Sequence, residues 1–171
     1  MSALLQELAG VLAALDAEKY TQSADDTFFR GTIGGHVRHC LDHARALLDG
    51  LESGVVDYDN RVRGSRIETD PVAAREEAHR LQRLAEHAAR LAADLPMVVR
   101  ILPTRDGVAV ALTTSLAREL AFVLSHTIHH NATIRGMAVA MGVPTPAAFG
   151  YAPATLQHLD SAGSERSACA H

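Results

Sequence analysis

Apolar side chains recur at three- and four-residue steps from the start of the chain: Leu4, Leu5, Leu8, Val11, Leu12 and Leu15. That spacing puts them on one stripe of a helix, which Ser2 can cap and which the pattern carries to about residue 18. The next stretch mixes Ser, Asp, Thr and Gly with Phe28 and Phe29, and reads as an ordered connection pinned by two rings. Thr32 offers a second cap. A second helix follows from about residue 33 to 51, with Val37, Cys40, Leu41, Leu47 and Leu48 on its apolar faces and a stop near Gly50 or Gly54. Between residues 55 and 70 the chain is polar and Arg-rich without helical period, which predicts a long loop of the kind that tends to be functional or mobile.

Asp70 followed by Pro71 is a cap and first-turn pair, and Leu81, Leu84, Ala88, Leu91 and Leu95 carry the stripe of a third helix that Pro96 ends. The period then changes. β-Branched residues cluster on both sides of a turn containing Pro103, Asp106 and Gly107, so a short hairpin is predicted before the last helix. The fourth helix starts at Thr114 or Ser115, continues through Leu116, Leu120, Val123, Ile134 and Met137, and stops at Gly142 with Pro144 just beyond. Pro153 can open a final turn, and the small, polar residues after Asp160 predict a disordered tail over 161–171.

The expectation is therefore an all-α fold, a four-helix bundle with a short inserted β-hairpin, in one domain over 1–160. Composition agrees: tryptophan is absent and aromatics are 4%, so aliphatic side chains on helices must make the core. With 21% charged residues, a net charge of -4 and no block of like charges, nucleic acid is a poor partner. No basic leader and no apolar run of bilayer length are present, and Cys40 and Cys169 make no disulfide framework. A soluble cytoplasmic protein with no membrane partner is expected.

The chemistry is in the histidines. There are ten, and they are unevenly placed: His36, His39 and His43 crowd the second helix, and His126, His129 and His130 the fourth. Residues four apart share a helix face, so His126 and His130 can hold one cation between two imidazoles, while His129 is turned away by about a hundred degrees. A third ligand must come from another helix, where His36, His39 and His43 lie along one stripe. Spacing does not choose among them. Three imidazoles suit zinc, nickel, iron or copper and leave positions open for water or substrate. Glu119, or Asp42 beside His43, could orient a ligand's second nitrogen. The fourth helix lacks the Glu of HExxH, which disfavours metalloprotease chemistry, and the single ExxH pair, Glu76 to His79, disfavours a carboxylate-bridged di-iron site. Cys40 reads as core filler, and the loop arginines Arg61, Arg63 and Arg66 as solvated rather than as an anion clamp.

The runs TIGGHVRHCLDH and LARELAFVLSHTIHH resemble the DinB-like, or YfiT-like, metalloenzyme superfamily over roughly residues 4–141. The resemblance implies an up-up-down-down bundle, frequently dimeric, in which one histidine of the second helix joins an HxxxH pair of the last. Matched to that pattern, the single ligand falls on His39 and the pair on His126 and His130. It also implies a divalent metal cofactor, zinc, nickel or iron, and an enzyme, a transferase or hydrolase that activates a low-molecular-weight thiol or water toward a small-molecule substrate. The other reading from the residues is a non-catalytic bundle that binds a small ligand or a protein partner in a polar cavity.

Overall fold

The computed structural model describes residues 1–23, 30–60 and 64–168, with backbone alone from 162 onward. Phe28, Phe29, Arg61, Arg63 and residues 169–171 lie outside the described residues. Six α-helices and three strands follow in the order α1 (Ser2–Leu12), α2 (Ala17–Thr21), α3 (Ile33–Asp49), β1 (Val55–Asp57), α4 (Pro71–Ala88), β2 (Pro96–Ile101), β3 (Val110–Ser115), α5 (Leu116–Ala140) and α6 (Pro153–Ala168). The molecule is mostly helical with a small sheet. None of the described helices is long and apolar enough to cross a membrane.

The caps foreseen from the residues place the long helices. The Thr32 side chain accepts the Gly35 N–H at 2.9 Å to start α3, Asp70 accepts from Val72 and Ala73 ahead of Pro71 in α4, and Ser115 accepts from Arg118 in α5. Helix α1 packs on α4, and α3 packs on both α4 and α5. Leu5, Leu8, Val37, Leu41, Leu47, Leu81, Val123, Ile134 and Met137 are all buried at the contacts. Burying such side chains is worth roughly 1.5–3 kcal/mol each, which is what holds helices of ordinary propensity together.

Four elements differ from the reading of the sequence. Helix α4 ends at Ala88 and not near Leu95, because the chain turns there so that the Ala93 and Leu95 carbonyls accept the Ala117 and Leu116 N–H groups at the start of α5. The first helix ends at Leu12, because Asp16 caps a separate helix, α2, by accepting the Lys19 N–H at 2.7 Å. The break lets Leu15 and Tyr20 turn inward, and the Tyr20 hydroxyl donates to the Ile67 carbonyl at 2.7 Å. The polar stretch after α3 holds a strand: β1 pairs parallel with β2, Val56 opposite Val99, and a 3-10 turn at Arg66–Glu68 follows. The hairpin β2–β3 is present, with Val98 opposite Thr113, but it is two thirds of a three-stranded sheet. Finally, α6 runs to Ala168, through most of the stretch whose composition predicts disorder; Pro153, suited to a helix's first turn, opens it.

Candidate metal centre

Packing of α3 on α5 brings five imidazoles together. The His39 ring centroid lies 4.9 Å from that of His126 and 4.7 Å from that of His130. His126 and His130 are 4.5 Å apart, and His43 stacks on His126 at 3.9 Å. His36 stands at the side of the cluster, 5.4 Å from His130. His129, a hundred degrees around α5, is exposed and meets only the edge of this group, 5.1 Å from His130. The three residues singled out by the resemblance, His39, His126 and His130, thus share one cluster, and His43 and His36 stand in it with them.

One nitrogen from each of His39, His43 and His126 can be chosen so that all three lie within 4.8 Å of one another. Around a tetrahedral cation with bonds of about 2.0–2.1 Å, ligand nitrogens sit roughly 3.4 Å apart, so small ring rotations close this set. Hydrogen bonding fixes the tautomers that such a site requires. The His43 Nδ1 lies 2.9 Å from the His39 carbonyl, which can only accept; Nδ1 therefore carries the proton, and Nε2 is the unprotonated nitrogen. The same reasoning runs through His36, whose Nε2–H donates to the Arg30 carbonyl at 3.1 Å. Its Nδ1 then accepts from the His130 Nδ1–H at 3.2 Å, so His130 also presents a bare Nε2. Burial, and then the neighbouring imidazoles of His126, His36, His129 and His43, pull the His130 pKa down to about 3. It is neutral at ordinary pH, as a ligand must be.

The carboxylates lie elsewhere than the spacing suggests. Glu119, fully buried, accepts from the Tyr58 hydroxyl at 2.8 Å, the Thr114 hydroxyl at 2.8 Å and Arg118 at 3.2 Å. Asp42 is held by Arg38 and Arg45, each at 3.0 Å. Backbone carbonyls take the orienting role at His43 and His36. Tyr58 is the residue that reading the sequence missed: its ring stacks on His43 at 5.3 Å with 13° between planes. The signal was the alternation Val56–Tyr58, both buried, which continues the inward face of β1. Cys40 is buried and hydrogen-bonded to Thr127, and burial pushes its thiol up to about 12, so it sits in the core as a neutral thiol.

The sequence pattern of the DinB superfamily matches residues 1–134, well over half of the chain and the part that holds all five clustered histidines. The chain belongs to the DinB superfamily. A DinB-like protein of Bacillus subtilis, YjoA, has a similar solved structure, with a TM-score of 0.59 at 14% identity over 83% of this chain and 90% of that one. At that identity the likeness is one of fold. A protein of Rhizopus delemar named FK506-binding protein 5 is 34% identical over 106 residues, 61% of this chain. The chain spans only 28% of that relative's length.

Proposed function

We propose that this DinB-superfamily chain is a metal-dependent enzyme, its helices α1, α3, α4 and α5 arranged as the family's four-helix bundle around one divalent cation. The observation that carries the reading is the convergence of imidazoles from two facing helices, with the ring protons of His43 and His130 placed on Nδ1. His39 and His126 belong both to the set expected from the family, His39–His126–His130, and to the set whose nitrogens lie within 4.8 Å of one another, His39–His43–His126. The cation is held by these two, with His43 and His130 as the further imidazoles in reach. By ligand type it is zinc, nickel or iron.

A cation held this way supplies a lowered pKa to a low-molecular-weight thiol or a water and polarises an electrophile. The chain's own part is to keep the imidazoles neutral and oriented. The His39 carbonyl fixes the His43 ring, Tyr58 covers its face, and the His36–Arg30 hydrogen bond sets the direction of His130.

Metal affinity of single variants tests this reading. His39→Ala and His126→Ala are each expected to lose about a hundredfold or more in zinc affinity, and the weaker of His43→Ala and His130→Ala names the third ligand. Unchanged affinity in His126→Ala contradicts it, and wild-type protein that takes up no zinc or nickel at micromolar concentration supports the non-catalytic ligand-binding bundle instead. We also propose a cytoplasmic homodimer, since alanines on exposed helix faces allow close helix approach. Sedimentation is expected to give twice the 18.3 kDa chain mass, and a purely 18.3 kDa species removes the dimer.

A further inference from the structure

Beside the histidines lies a cavity of about 290 Å³ whose wall includes Arg30, Thr32, Gly35, His36, His39 and His130. At about 30 Å³ per water, that is room for roughly ten waters, the scale of a small metabolite. Among the described residues, its electrostatics are one-sided. The first turn of α3 forms part of the wall, so the positive end of a 17-residue helix faces it. Gly35 leaves that turn uncovered: a Cβ there would meet only Thr32 Oγ1 at 3.4 Å and Glu68 Oε1 at 4.0 Å.

Among the described residues, the charges around the cavity divide into used and available. Arg38 is committed to Asp42 and Glu68, both at 3.0 Å. Asp42 also holds Arg45, Glu68 also accepts from the Gly64 N–H, and Glu119 is taken by Tyr58, Thr114 and Arg118. Imidazole ligands bring no negative charge to a dication, and these carboxylates are already engaged. Arg30 is exposed and in no ion pair among the described residues; it gives His36 its carbonyl, which holds its backbone at the cavity rim. A charge excess at a half-enclosed site is relieved by a ligand of opposite sign.

We infer that the substrate taken at this site is a small carboxylate, its anionic group in the cavity against Arg30 and the first turn of α3 and its reacting end against the histidines. The inference rests on the metal-site reading above and adds the substrate's charge and the residue that selects it. Arginine suits the role because its planar fork meets both oxygens of a carboxylate.

The probes are mercaptoacetate and 2-mercaptoethanol, thiols of similar size with and without a carboxylate, titrated into the cobalt-loaded protein and read from the visible cobalt spectrum. Wild type is expected to bind mercaptoacetate about tenfold or more tightly than 2-mercaptoethanol. Arg30→Gln is expected to lose most of that preference while keeping its cobalt stoichiometry and its 2-mercaptoethanol affinity. Equal binding of the two thiols by wild type overturns the inference and leaves the metal reading standing. A preference undiminished in Arg30→Gln also overturns it, since chelation of cobalt by both ends of mercaptoacetate then accounts for the effect. Wild-type protein that takes up no cobalt refutes the metal reading itself, and this inference with it.

Discussion

The two halves of the helical core are built from different materials. Where α1 packs on α4, the buried residues are apolar throughout: Leu4, Leu5, Leu8, Ala9, Val11 and Leu12 on one side, Ala74, Ala78, Leu81, Ala85 and Ala88 on the other. Helices α3 and α5 instead carry Asp42, His43, Glu119, Thr127, His130 and Asn131, which are all the buried polar residues found among the described ones. Burying a polar group costs stability unless it is fully satisfied, and a chain accepts that cost where a site needs it. The division is visible without any motif: one helix pair is buried on apolar residues alone, and the candidate metal centre lies on the other.

Truncation in the apolar half separates the two roles most strongly. Leu81→Ala is expected to lower stability by about 2–5 kcal/mol, measured by urea unfolding of the metal-free protein, with zinc affinity of the folded protein unchanged. A fall in affinity of the same variant would mean that the halves are not separable. The smaller effect comes from the other side. The Asn131 side chain is buried, and both its oxygen and its nitrogen lack a hydrogen-bond partner among the described residues. Asn131→Leu is therefore expected to leave stability unchanged or raise it by about 1 kcal/mol. A loss larger than that would show that Asn131 is satisfied in solution and belongs to the polar network.

The apolar half was also the legible half. Leucine spacing and the Asp70–Pro71 start are local signals that α1 and α4 follow at their starts, but Asp16 caps a new helix instead of riding in an old one, and α4 ends at Ala88, short of the Leu91 and Leu95 that continue its stripe. Strand β1 escaped notice because its partner β2 is some forty residues away, and three residues of β pattern in an Arg-rich stretch carry little weight without it. In the polar half the two histidine clusters could be read, but their division of labour could not. His36, His39 and His43 share a stripe, and what distinguishes them is which carbonyl each imidazole meets and whether Tyr58 lies on its face. Those partners are set by tertiary packing. For the same reason Glu119 has the right spacing to serve His126, yet is claimed by Tyr58 and Thr114 from the sheet side.

The proposed function stands or falls on whether imidazoles from α3 and α5 share one cation. X-ray absorption of the tag-free, zinc-loaded protein measures this directly. Three or four imidazole nitrogens at about 2.0–2.1 Å are expected. A shell dominated by sulfur near 2.3 Å, or by oxygen with fewer than two imidazoles, would contradict it.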